Sequence, residues 1–365
     1  MSADSNMKLI FFPHNDTLMK RFFLLLLLVF TLAACTSGGG DPARTLKTSP
    51  EVTSTSTPAP SVTVTFSPTP QPISTLTAAP SATPVPKFSF VVTSDMSHYS
   101  DQEYENYPNF FAALLGYVDQ MGPGDFMVST GDVIPAEGTD WTVDQVLGEG
   151  YPWFPIPGNH DFGTAERNFF EAYPYPFNGE DLPGLVRWGP DSCPRTTYSF
   201  DYHNAHFALL NVYCDEEAPW GIDGSVSDTL YTWLAKDLSE TTQEHIFVFG
   251  HEPAFPQPDD ETGQARHVDD SLNQYPEARD RFWVLLQEHD VIAYVHGHTH
   301  TYSAMQIDGV WQLDAGQAMG VRAAPSPGTF LYMTIQGERV TLRTYRGEEG
   351  PGFAFRLFEE IQLRP

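Results

Sequence analysis

Basic residues are scarce: 19 lysines and arginines stand against 47 aspartates and glutamates in 365 residues, a formal net charge of −28. That field repels polyanions and excludes a nucleic-acid-binding module as the basis of function. Acidity by itself says nothing about catalysis. Cysteine occurs three times, at 35, 193 and 214, too rarely for a disulfide framework. No internal repeat is found. The apolar stretch at residues 22–34 falls short of the roughly 20 residues that span a bilayer. What the chain does have is an apolar share of 41%, ample for a real core.

The first 35 residues read as an address. Lys20 and Arg21 precede Phe22, Phe23 and a leucine run, which ends in Leu32-Ala33-Ala34-Cys35. A basic start, a short apolar stretch and small residues before a cut site describe a secretory signal. The ending resembles a bacterial lipoprotein box, which implies lipidation of Cys35 and a membrane-anchored, extracytoplasmic protein at the cell surface or in the periplasm. A complete signal begins at Met19, so residues 1–18 are read as preceding the true start. The expected contact with the membrane is through this anchor only.

From Pro50 to Pro86 the chain is mainly Pro, Thr, Ser, Ala and Val, with nine prolines and one charge, Glu51. Such composition makes an extended, semi-rigid spacer, and in polyproline II it reaches roughly 100 Å. The expected organisation is therefore a signal over 1–35, a Pro/Thr/Ser-rich linker over 36–86 and one domain over 87–365.

Within the domain, apolar runs alternate with helical patterns. Residues 88–93, 125–129, 153–156, 245–249 and 291–295 read as strands; 109–121, 141–147, 165–173, 225–238 and 277–288 read as helices. Residues 198–202 and 206–213 read as a hairpin, and the tail from Val310 mainly as strands. Alternation implies an α/β domain with a substantially parallel sheet, to which the hairpin and tail add antiparallel strands.

The residues that follow each apolar strand carry the chemistry. The first is followed by Asp95, the second by Gly131-Asp132 and the third by Gly158-Asn159-His160-Asp161. The fourth ends in Gly250-His251 and the fifth in Gly297-His298-Thr299-His300. Five strands thus deliver carboxylates, an amide and imidazoles at their carboxyl ends, where open α/β sheets bind ligands. Oxygen and nitrogen donors of these types suit Mn, Fe or Zn.

This order of motifs resembles the calcineurin-like metallophosphoesterase superfamily, including the purple acid phosphatases, and the resemblance covers 87–365. It implies a four-layer αββα sandwich with mixed sheets, and hydrolysis of a phosphomonoester or phosphodiester, a small molecule, by metal-bound hydroxide at a dinuclear centre. It also implies roles. Asp132 bridges two ions; Asn159, His251 and His298 complete one site; Asp95 and His300 hold the other. His160 assists the leaving oxygen or binds phosphate, and Asp161 orients an imidazole.

The sequence departs from the pattern at two places. Where the superfamily often has Asp-x-His, this chain has Ser97, with His98 one residue late; where purple phosphatases place tyrosine, it has Pro135. Either His98 swings in as an extra ligand, or the first ion is held by Asp95, Asp132, His300 and water, or it is held weakly or not at all. The loop between the fourth and fifth motifs has no regular period, and its Arg266 and His267 are candidates to meet a phosphate oxygen. Tyr302 is read as either pocket lining or core. The register of a tight turn at Asn204, carried outward, sets Cys193 opposite Cys214, so a disulfide is expected. A second reading of the whole is a non-catalytic surface lipoprotein with a degenerate centre. Lacking the tyrosine, the purified protein is expected to be colourless; a strong visible charge-transfer band in its absorption spectrum would overturn that.

Overall fold

The computed structural model describes residues 85–96, 107–161, 163–172, 184–214, 223–319, 326–348 and 354–365. The chain divides into two units, Met1–Ala78 and Ala79–Pro365, and all described residues lie in the second. Cys35 and His98 fall outside the described residues.

Two sheets form the centre. The first has strand order β13-β12-β11-β1-β2-β3, the second β4-β5-β6-β7-β8-β10-β9. In the first, β1 (Lys87–Thr93), β2 (Phe126–Ser129) and β3 (Trp153–Pro155) run parallel. Strands β11 (Thr329–Gln336), β12 (Arg339–Glu348) and β13 (Ala354–Arg364) extend it antiparallel. In the second, β6 (Ala205–Leu209), β7 (His245–Phe249), β8 (Ala293–His296) and β10 (Val310–Ala315) are parallel neighbours. Strands β4 (Leu185–Trp188), β5 (Tyr198–Tyr202) and β9 (Tyr302–Ile307) complete its edges antiparallel.

The continuous apolar runs have a physical cause: each central strand is buried on both faces. In β7, Phe247 and Phe249 enter the core between the sheets, while Ile246 and Val248 pack under helices. In β1, Phe88, Phe90 and Val92 face the other sheet and Val91 faces the helices. The inter-sheet core is rich in phenylalanine; Phe90 stacks on Phe126 at 5.1 Å and Phe200 on Phe207 at 4.9 Å. Helices α1 (Tyr107–Met121), α2 (Ala136–Leu147) and α3 (Thr164–Ala172) cover the first sheet. Helices α4 (Asp228–Glu240) and α5 (Pro276–Glu288) cover the second, so the layers run αββα.

Local chemistry sets the helix ends. Ser227 caps α4 by accepting from the Leu230 amide, and Leu230, Trp233, Leu234 and Leu238 turn to the sheet. Proline opens α5 where its missing amide costs nothing. The start of α2 lies five residues before the expected Trp141, directly after the cis Ile134–Pro135 bond. Pro135 and Gly138, poor helix signals, hid it.

The hairpin of β5 and β6 pairs Tyr202 with Ala205, the register read from the sequence. Its second strand is shorter than expected. After Leu209 the chain turns, because the Asn211 side chain accepts from the Tyr213 amide and donates to Thr196. That turn carries Cys214 to Cys193, and the two are bridged with Cα atoms 5.9 Å apart.

One buried polar node couples this sheet to α4. His206 on β6 is wholly buried, with Nδ1 2.7 Å from Asp201 and Nε2 2.9 Å from Asp237. Burial opposes its charge, but the two carboxylates win and hold its pKa above the ordinary value of 6.5. A raised folded-state pKa stabilises the fold fully below the unfolded value, and the contribution is lost as pH rises through the folded value. Melting temperature should therefore fall from weakly acidic to alkaline pH, and His206→Gln should flatten that decline. Parallel slopes for the two proteins in thermal melts across this window would exclude the coupling.

Candidate metal centre

The parallel strands of both sheets end at one edge, and the turns beyond them meet. Asp95 follows β1, Asp132 follows β2, and Asn159 with His160 follow β3; His251 follows β7, and His298 with His300 follow β8. The turns are stitched by backbone bonds: the Asp95 amide donates to the Gly131 carbonyl at 3.1 Å and the Gly297 amide to the His251 carbonyl at 3.0 Å. Across the sheets, the His298 amide donates to Asp95 Oδ2 at 2.9 Å. The His160 amide donates to Asp132 Oδ1 at 2.9 Å.

Four of these residues sit in left-handed backbone: Asp95 at φ 52°, Asp132 at 54°, His298 at 71° and His300 at 58°. Each such residue costs of order 1–3 kcal/mol, and such strain clusters where the surrounding structure must aim a side chain. The glycines serve close approach. A Cβ on Gly158 would strike the Asp132 carboxylate, and one on Gly297 would strike Ser94 and Asp95.

Two groups of donors result. Asp95, Asp132 and His300 place one ligand atom each within 4.8 Å of one another, and all three are buried. His300 Nε2 lies 3.3 Å from Asp95 Oδ1, a buried oxygen with no hydrogen-bond partner. Burial opposes ionisation of Asp95, yet the neighbouring His300 holds its carboxyl below the ordinary range. In the second group, Asn159 Oδ1 is 3.1 Å from both His251 Nε2 and His298 Nδ1, and His251 Nε2 is 3.5 Å from Asp132 Oδ1.

The opposite ring nitrogens decide the tautomers. His251 Nδ1 donates to the Thr130 carbonyl at 2.7 Å, and His298 Nε2 donates to the Asp270 carbonyl at 2.8 Å. In the neutral rings the nitrogens facing Asn159 therefore carry lone pairs. Two lone pairs, an amide oxygen and a carboxylate then converge with no proton among them, an arrangement that a cation relieves. Burial disfavours a charged His251, but Asp132 and Asp95 favour positive charge there and raise its pKa, so in place of an ion a proton on Nε2 would occupy the same position. His298, disfavoured by burial and by His251 and His267, stays neutral. The residues fit metal ions, with ring orientation fixed by carbonyls behind them.

His267, Asp270 and His298 also fall within 4.8 Å of one another. His298 has one lone pair to give, however, and Asp270 takes the N–H of the other nitrogen. The loop therefore orients His298 and does not share it.

Other expected residues fall as follows. The His160 side chain is 42% exposed, with Nε2 3.9 Å from Asp132 Oδ2, so it borders the centre from the solvent side. Asp161 is buried and orients no imidazole: its Oδ2 accepts from the Gly158 amide at 2.8 Å and the Val133 amide at 3.1 Å, holding the turns after β3 and β2. Burial, then Asp132, pushes its pKa up to about 8. His267 reaches the centre, its ring 4.3 Å from that of His298, and Arg266 Nη2 stands 3.5 Å from His267 Nε2. Tyr302 is core, not pocket lining: fully buried, it donates to Glu359 and packs on Phe358.

Sequence reasoning missed four features. The carbonyls of Thr130 and Asp270 carry no side-chain signature. Asp259, in the loop without regular period, is buried and receives Arg346 twice, at 3.0 and 2.7 Å, with Ser326 and the Tyr302 amide. Burial works against its charge, but Arg346 holds its carboxyl well below the usual range. Beside His251, buried Glu252 accepts from the Gly224 amide, and burial pushes its pKa up to about 7. Tyr213, 6.1 Å from the His251 ring, is held by the turn that ends in Cys214.

A sequence profile of the calcineurin-like phosphoesterase family matches residues 88–302, more than half of the chain and spanning all five motifs. Among solved structures, the chain is similar to GAP50, the anchor in the inner membrane complex of Plasmodium, at 12% identity and a TM-score of 0.52, covering 76% of this chain and 89% of that one. It is similar to PhoD at 13% identity and a TM-score of 0.53, covering 77% and 71%. At these identities the likeness speaks for the fold. No curated protein matches the chain. The chain belongs to the calcineurin-like phosphoesterase family and is a phosphoric ester hydrolase.

Proposed function

We propose that the protein hydrolyses small phosphate esters at a two-metal centre outside the cytoplasm. The observation that carries this reading is the convergence of His251 Nε2, His298 Nδ1, Asn159 Oδ1 and Asp132 Oδ1, all four electron-pair donors when the rings are neutral. Those four would hold one ion. Asp95, Asp132 and His300 would hold the other, leaving positions open for water and substrate. Bound Mn, Fe or Zn supplies a nucleophile usable at neutral pH and offsets charge on the phosphoryl group. The protein's share is positional. Thr130 and Asp270 lock the imidazoles, Asp161 locks the turns, and half-exposed His160 is placed to give a proton to the leaving oxygen. Export as a Cys35-anchored lipoprotein is supported by the signal-like start and by the Cys193–Cys214 bridge, which suits an oxidising compartment.

Elemental mass spectrometry of the purified protein should find one to two Mn, Fe or Zn per chain, and Asp132→Ala should lose them. Absence of metal after reconstitution would favour the degenerate-centre reading, which rests on the missing histidine and tyrosine of the first site. The metal-loaded protein should hydrolyse p-nitrophenyl phosphate. His160→Ala should lower kcat by roughly 10²–10⁴ while metal content stays unchanged; metal loss in that variant would make His160 a ligand instead.

A further inference from the structure

Arg266 stands out among the charged side chains of the described residues. Its guanidinium Nη1 is buried and has no hydrogen-bond partner. The chain carries 47 acidic residues, and Asp269 and Asp270 lie three and four positions away, yet among the described residues no carboxylate pairs with Arg266. Asp270 is engaged elsewhere: its Oδ2 is 3.3 Å from His267 Nδ1, and its carbonyl takes the His298 N–H. An unpaired buried guanidinium nitrogen is expensive unless something anionic satisfies it.

The segment that presents it is pinned on both sides. Upstream, Asp259 is clamped by Arg346 from β12; downstream, the Asp270 carbonyl is bonded to His298. Between them His267 adopts left-handed backbone at φ 51°, its ring 4.3 Å from His298 and 6.2 Å from His300. Arg266 Nη2 is thus held 3.5 Å from His267, whose ring packs on that of the proposed ligand His298.

The geometry points to Arg266 as the residue that selects phosphomonoesters over phosphodiesters. This inference rests on the two-metal reading above. A monoester offers three non-bridging oxygens and close to two negative charges at neutral pH. A diester offers two oxygens and one charge, with a second ester group in place of the third oxygen. Ions hold phosphoryl oxygens; an oxygen left over needs a donor, and the planar guanidinium fork matches it. A diester presents a neutral, bulkier group to the same nitrogen and leaves it unsatisfied, which is how a buried polar site rejects an analogue.

The test uses the metal-loaded full chain with p-nitrophenyl phosphate and bis(p-nitrophenyl) phosphate, which share a leaving group. Wild type should prefer the monoester. Arg266→Ala should lower kcat/KM for the monoester about 10- to 100-fold and leave the diester little changed. Arg266→Lys should restore part of the loss, since it keeps the charge without the fork. Independently of turnover, calorimetry should show inorganic phosphate binding weakened by a similar factor in Arg266→Ala, and dimethyl phosphate binding unaffected. Equal losses on both substrates, or phosphate affinity indifferent to the substitution, overturn the inference while the hydrolase reading stands. A metal-loaded wild type that cleaves neither ester overturns both.

Discussion

Four electron-pair donors pointing at one another are the constraint on which the rest of this structure depends. His251, His298, Asn159 and Asp132 come from four turns on two sheets, and the two imidazoles are aimed by carbonyls behind them. Left to themselves, such groups repel, and burial removes the water that would separate them. The fold holds them together because the turns are bonded to each other through backbone amides and the sheets beneath them share a dense phenylalanine core. Stability made in the core and spent at the edge is a common arrangement for a site that must bind a cation.

The same logic explains the loop between β7 and α5. It has no regular element before the short 3-10 turn at Leu272–Gln274, yet it is not loosely held. The Asp259–Arg346 pair is fully buried, and the Asp259 carboxylate is further met by Ser326 and several amides, the condition under which a buried ion pair fixes geometry. Loop residues are thereby tied to the sheet, which sets His267 and the Asp270 carbonyl against the ring of His298.

The Cys193–Cys214 bridge and the Asn211 network do comparable work on the other flank. They end β6 early and fold the chain back so that Tyr213 packs near His251. The two flanks differ in chemistry, one charged and one largely neutral.

Much of this was legible in the amino-acid order. Strands buried on both faces leave continuous apolar runs, and a residue placed just after such a run must stand at the sheet edge. Hence the α/β alternation, the five motif turns and the hairpin register followed from local pattern, while the αββα layering was implied by the family resemblance. Neighbourhoods between distant segments were a different matter. That Tyr302 lies in the core, that Asp161 binds amides and not an imidazole, and that Asp259 finds Arg346 depend on contacts far apart in the chain, with residue types equally at home elsewhere. The carbonyls that set the imidazole tautomers belong to every residue alike, so no side chain announces them. The sequence by itself determined which groups reach the edge, because strand burial and turn chemistry are local. Only the tertiary structure decided which lone pair each of them shows, because that depends on what the packed chain places behind it.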